Sequence, residues 1–207
     1  MKQPMPIRAE SSLHSLLGEY WSEVAHVASS IDLDRIEAAA TMLLECQERD
    51  GIIYTVGNGG SAATASHFAC DLAKGTRAGG APTFRVVALT DSMPVLTAWG
   101  NDVGYERIFA EQLASLARPG DLLVAISVSG FSPNMIAVAE TARDLGLDTI
   151  GLTGRNGGTL AQLVDLTVKA PSDSMEVVED AHLIVAHSLC VAMREFLSRV
   201  KHGALSA

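Results

Sequence analysis

Ile52-Ile53-Tyr54-Thr55-Val56 runs directly into Gly57-Asn58-Gly59-Gly60-Ser61, and Asp121-Leu122-Leu123-Val124-Ala125-Ile126 runs directly into Ser127-Val128-Ser129-Gly130. Each is a short apolar run without polar alternation, the pattern of a strand buried on both faces. A turn-rich loop and a helical stretch follow each one, over residues 62–74 and 132–145. Strand, loop and helix in repetition predict a parallel sheet with helices on both sides. Residues 84–89, 149–152 and 163–168 read as further strands. Residues 93–99 read as a short helix or turn, 105–117 as a helix, and 175–199 as a long closing helix. Upstream, apolar residues at helical spacing mark helices over 11–29 and 32–48, with Asp50-Gly51 as the stop. Residues 1–10 read as a polar, proline-bearing arm. The expected architecture is an α/β fold: a three-layer αβα sandwich on a parallel sheet, a single domain over 1–207. Residues 11–49 form an N-terminal α-hairpin that packs on a partner subunit or on its own domain.

Composition narrows the function classes. The chain has 207 residues, 48% of them hydrophobic, which is enough for a real core. Lys plus Arg number 15 against 24 Asp plus Glu, a formal charge of −9. A nucleic-acid binder needs a basic face, so none is expected as a partner. A small anion remains admissible, because backbone N–H groups bind one locally against the global field. Cys46, Cys70 and Cys190 are odd in number and far apart, so a disulfide framework and a cysteine zinc site are not expected. The start lacks an apolar signal-peptide segment, and the apolar stretch 183–193 is too short to span a bilayer. The expectation is a cytoplasmic protein with no membrane partner.

The chemistry is expected at the C-terminal ends of the strands, where open α/β sheets bind ligands. Gly57-Asn58-Gly59-Gly60-Ser61 is neither a dinucleotide-binding GxGxxG, since Ala62 and Ala63 follow, nor a P-loop, since no Gly-Lys-Ser/Thr ends it. Its glycines let the backbone approach a ligand, although a purely structural turn is the ordinary alternative. The second loop carries Ser127, Ser129 and Ser132 before Pro133. With Ser132 as N-cap and Pro133 in the first turn, capping accounts for one serine and not for three. Hydroxyls and helix-start N–H groups together make a neutral phosphate cradle. His67 and Asp71 stand i, i+4 on one helix face. Glu176, Glu179, Asp180, His182 and His187 cluster on the last helix, whose geometry does not single out the carboxylate that works with His187. The two histidine-bearing helices suit a metal or an acid/base pair as well as they suit packed core histidines. Cys70, Trp99 and Tyr105 are expected to pack.

These stretches, with Gly100-Asn101-Asp102, Leu152-Thr153-Gly154 and Glu179-Asp180-Ala181-His182 through His187, resemble the sugar isomerase (SIS) domain family, and within it the phosphoheptose isomerases. The resemblance spans essentially the whole chain. It implies a flavodoxin-like SIS fold and a homotetramer with sites at subunit interfaces. The implied reaction is aldose–ketose isomerisation of D-sedoheptulose 7-phosphate to D-glycero-D-manno-heptose 7-phosphate. By the same resemblance Ser61, Ser127, Ser129 and Ser132 hold phosphate. Asn58, Gly59, Gly60, Asp102 and Glu179 meet the sugar. His67, Asp71, Glu179 and His187 match a zinc cluster, with Asp71 and His187 the acid/base pair. The chain departs from the family's usual residues by Asp71 for Glu, Glu179 for Gln, Val128 for Thr, and Lys74-Gly75 in place of an arginine-bearing stretch. The departures leave room for a different phosphosugar. A non-catalytic SIS protein that binds the replication initiator is the alternative from another class, and the presence of His187 counts against it.

Overall fold

A computed structural model describes residues 12–77 and 83–204. Residues 1–10 and the first residue of the first expected helix lie outside that range. Two helices come first, α1 (Leu13–Ser30) and α2 (Leu33–Glu48). Five strands and six more helices follow: β1 (Ile52–Gly57), α3 (Gly60–Cys70), β2 (Arg85–Ala88), α4 (Met93–Asp102), α5 (Ala110–Leu116), β3 (Leu122–Ser127), α6 (Pro133–Asp144), β4 (Asp148–Gly154), α7 (Leu160–Leu163), β5 (Leu166–Ala170) and α8 (Met175–Ala204). All pairings are parallel, in the order β2-β1-β3-β4-β5. This is the doubly wound, flavodoxin-like order, and its direction reverses between β1 and β3.

The strands sort their side chains by parity. Ile53, Leu122, Val124, Ile126, Ile150 and Leu152 pack with α1, α2, α3 and α8. Tyr54, Val56, Leu123 and Ala125 pack with α5, α6 and α7. Alternate residues therefore feed two cores, which is why these strands show no polar face.

Three details differ from the reading of the sequence. The expected strand at 163–168 lies later, at Leu166–Ala170, because Leu160–Leu163 close a helical turn first. The expected helix at 105–117 is divided into a 3₁₀ turn, Tyr105–Arg107, and α5. The helix expected to Lys74 changes to a π-turn at Asp71–Gly75, with Thr76 N–H bonded to the Asp71 carbonyl at 3.1 Å.

α1 and α2 each dock on α8 rather than on one another. α2 buries Ala39, Leu43 and Cys46, while α1 buries Val24 and Val27. Tyr20 donates to Asp180 at 2.5 Å, a bond that pushes the phenol up to about 12. Both helices thus pack on their own domain, yet Leu13 and Trp21 remain 80% and 69% exposed.

His182 sits on the buried side of α8, and burial pushes its imidazole down to about 4 despite a raising influence from the Thr153 backbone. The depressed pKa means that the unfolded chain takes up the proton first as pH falls. The stability tied to neutral His182 is intact above pH 6.5 and is lost between there and pH 4. The loss reaches about 3 kcal/mol. Chemical denaturation of His182→Leu should show a correspondingly flatter dependence across that window.

Candidate active site

The reversal between β1 and β3 splays the two following loops apart, and a cleft of about 150 Å³ lies there. Asn58, Ser61, Ser127, Ser129, Ser132 and Glu179 line it, together with Ile126, Val128 and Met175. No lining residue is cationic. Ser127 Oγ accepts from Gly130 N–H at 3.1 Å, and Ser129 Oγ accepts from Phe131 N–H at 3.3 Å. Accepting leaves each hydroxyl hydrogen to donate elsewhere. Ser132 is the N-cap of α6 as expected, but its side chain makes no capping bond. The serine hydroxyls line one cleft beside the N-terminus of α6, and hydroxyls with a helix N-terminus can hold an anion without a lysine.

A second loop braces the serine loop from behind. Gly154 N–H donates to Val128 O, and Leu160 N–H to Gly130 O, both at 3.0 Å. Gly130 and Gly158 take φ of +69° and +58°, and a Cβ on Gly158 would lie 2.5 Å from Ser129 O. The two backbones meet where no side chain fits.

Asn58 is held by a reciprocal amide pair with Asn134, 2.8 Å in each direction, and Tyr105 donates to its Oδ1 at 3.0 Å. Tyr105 therefore corrects the expectation of simple packing, whereas Trp99 does pack against the second core. Tyr105, Gly57, Asn58 and Gly59 also line a wider cleft of about 580 Å³ toward α4. Asp102 is exposed at the end of α4 and lines neither cleft. Asn134 and the Gly157-Gly158 pair were missed as site elements. The glycine spacing was the available signal, and without a motif to assign it to, it reads as an ordinary loop.

At the far end of α3 the titratable groups gather. His67 Nε2 lies 2.9 Å from His187 Nε2 and 3.3 Å from Asp71 Oδ2, and His187 Nε2 lies 3.7 Å from that oxygen. The side chains are 50%, 30% and 48% exposed for His67, Asp71 and His187. The ambiguity along α8 is thereby resolved: Asp71 meets His187, while Asp180 is taken by Tyr20. His67 is an open ligand-type residue, not a core histidine. Cys70, expected to pack, is exposed, because it follows His67 by three residues on the same outward stripe of α3.

These three donor atoms lie close enough together for one metal ion to touch them all, and two imidazole nitrogens with a carboxylate oxygen are a donor set of the kind zinc takes. Glu179 does not share the tight cluster. Its carboxylate packs on Gly60 at the start of α3, where the helix dipole favours negative charge.

The fold and the position of the cleft define a SIS domain, and residues 19–154 match that family. The chain is 38% identical to the phosphoheptose isomerase of Aliarcobacter butzleri (strain RM4018) over 188 residues, 89% of this chain and 98% of that one. The structure of phosphoheptose isomerase GmhA from Neisseria gonorrhoeae superposes with a TM-score of 0.82 at 33% identity, covering 88% of this chain and 98% of that one. A phosphoheptose isomerase from Francisella tularensis gives 0.80 at 31% identity, covering 88% and 96%. The chain belongs to the phosphoheptose isomerase family of SIS-domain proteins.

Glu179 puts a carboxylate into the serine-lined cleft. Glu179→Gln should tighten binding of inorganic phosphate about three- to tenfold, the scale of one nearby charge in a half-wet site. Calorimetric titration of both proteins checks this.

Proposed function

We propose that the protein interconverts D-sedoheptulose 7-phosphate and D-glycero-D-manno-heptose 7-phosphate. The carrying observation is one cleft lined by serines with a His67–Asp71–His187 cluster farther along the same helix. Ser61 and His67 are six residues apart on α3, a rise of about 9 Å. Eight bonds join C1 of a heptose 7-phosphate to phosphorus, about 10 Å when extended at ~1.2 Å per bond. The two lengths are alike, which supports placing the carbonyl end of a phosphate-anchored sugar at the imidazoles.

Ser61, Ser127, Ser129 and Ser132 take the phosphate in this reading. Asn58, Gly59, Gly60, Glu179 and Asp102 face the sugar, with Asp102 assigned by resemblance. Asp71 and His187 form the acid/base pair. The base removes a proton from C1 of the ketose, and the C–H electron pair becomes the C1–C2 double bond of an enediolate with charge on O2. A proton passes from O1 to O2, the conjugate acid returns a proton to C2, and the C1–C2 π pair forms the C2–H bond as O1 becomes the aldehyde oxygen and O2 the new hydroxyl. Hydrogen-bond donors at O2 lower the barrier. Zinc on His67, Asp71 and His187, without the Glu179 that the sequence also suggested, would add Lewis-acid stabilisation of that oxygen. A ligated Asp71 or His187 is not a free base, so turnover with added zinc and after chelation identifies the active form.

We further place the protein in the cytoplasm, where three free thiols stay reduced. No helix among the described residues is long and apolar enough to cross a membrane. We read the chain as a homotetramer with sites at subunit interfaces, residues 1–207 forming one SIS domain. The uncovered apolar residues of α1, and a groove of about 500 Å³ lined by Leu33, Ile36, Leu189 and Phe196, support that reading.

Purified protein should convert sedoheptulose 7-phosphate to the aldose. Asp71→Asn and His187→Asn should each lower kcat about 10²- to 10⁴-fold with little change in KM. Absence of turnover in the wild type, with and without zinc, overturns the reading. Faster turnover of another phosphosugar in a substrate panel moves the assignment to that sugar. Light scattering of Trp21→Glu should show a smaller species than the wild type.

A further inference from the structure

Asn134 is buried to 1% exposure in the first turn of α6, and Asn58 stands in the loop just after β1. Their amides meet edge to edge, each donating to the other at 2.8 Å. The pair bridges the point where the sheet reverses direction. It ties the glycine loop to the helix that follows the serine loop. Tyr105, in the 3₁₀ turn before α5, adds a third bond, its hydroxyl donating to Asn58 Oδ1 at 3.0 Å.

Three bonds converge on the Asn58 amide and leave it one free corner. A carbonyl oxygen has two lone pairs. Asn58 Oδ1 accepts from Asn134 Nδ2 and from Tyr105, so both are used. The NH2 group has two hydrogens, and one goes to Asn134 Oδ1. Asn58 can therefore give a ligand one N–H and nothing else. In a planar amide that N–H lies at the corner opposite the outer lone pair, which here faces Tyr105. Asn58 lines both the serine cleft and the wider cleft, whereas Tyr105 lines only the wider one.

A buried amide must be satisfied somewhere, so packing alone would account for Asn134. Tyr105 is different. It is 63% exposed, with water at hand for its hydroxyl, and burial does not direct that hydroxyl to Asn58. We propose that Tyr105 and Asn134 are positioning residues for the anion in the serine cleft. Together they hold the Asn58 carbonyl away from that cleft and offer its second N–H there. An amide turned the other way would show the anion an oxygen, which repels it. This inference rests on the reading of the cleft as a phosphate site.

The test measures inorganic phosphate binding, kinetics with sedoheptulose 7-phosphate and melting temperature. The proteins are wild type, Tyr105→Phe, Asn134→Leu, Asn58→Ala, and Tyr105→Phe combined with Asn58→Ala. Tyr105→Phe should melt within about 2 °C of wild type, as an exposed substitution does. It should nonetheless bind phosphate about three- to fivefold more weakly and raise KM by the same factor. Its kcat should stay within about twofold, because the contact is equal in ground and transition states. Asn134→Leu, which removes two bonds, should weaken phosphate binding about five- to tenfold. With Asn58→Ala already present, Tyr105→Phe should change neither phosphate binding nor KM further, because the phenol acts only through that amide.

Wild-type phosphate affinity in Tyr105→Phe overturns the inference. So does an equal loss from Tyr105→Phe with and without the Asn58 amide, the mark of a packing role. If Asn134→Leu does not fold, Asn134→Ser takes its place under the same criterion. A wild-type protein that binds no phosphate overturns the functional reading itself, whereas normal wild-type binding with unaffected variants overturns only this inference.

Discussion

The serine loop is held in shape by backbone meeting backbone. Gly154 N–H on Val128 O and Leu160 N–H on Gly130 O join the loop after β4 to the loop after β3, and a glycine stands at each close approach. Side chains adapt to a neighbour by changing rotamer, but two peptide planes in contact have almost no such freedom. The hydroxyl positions are consequently fixed by the sheet, because β3 and β4 are in register up to Ser127 and Thr153. The serine cleft inherits the rigidity of a parallel sheet, and the histidine–carboxylate cluster does not.

That second end is built differently. His67 and Asp71 come from the last turn of α3 and the π-turn after it, and His187 comes from α8. A π-turn adds a residue to the helical repeat and re-aims the side chains that follow; such turns occur often at functional sites. The three groups are partly open to solvent and face the side where the apolar residues of α8, Ile184 and Val191, are also exposed. The serine cleft is therefore walled by packed loops, while the His67–Asp71–His187 cluster lies open along an uncovered apolar stripe.

Much of this was legible in the sequence because it rests on local patterns. Buried strands declare themselves by unbroken apolar runs, and loops Gly57–Ser61 and Ser127–Ser132 by residue types that strands avoid. The strand order depends on which loops reverse, and the family resemblance supplied what periodicity alone could not. What stayed hidden depends on contacts between distant segments. Tyr105 reads as a packing aromatic until Asn58 is seen beside it. Asp180 and Glu179 are equivalent candidates along α8 until Tyr20 and Gly60 claim them. The packing of α1 and α2 against α8 likewise joins segments far apart in the chain.

An anion cleft lined by hydroxyls has a consequence that a guanidinium site would not share. A hydroxyl both gives and receives a hydrogen bond, whereas arginine only gives. A phosphate monoester gains or loses its second proton near pH 6. Ser127, Ser129 and Ser132 can turn their O–H bonds to suit either species, so the hold on the ester tolerates that ionisation. In the proposed reading the anchor therefore grips the monoanion and the dianion of the ester alike.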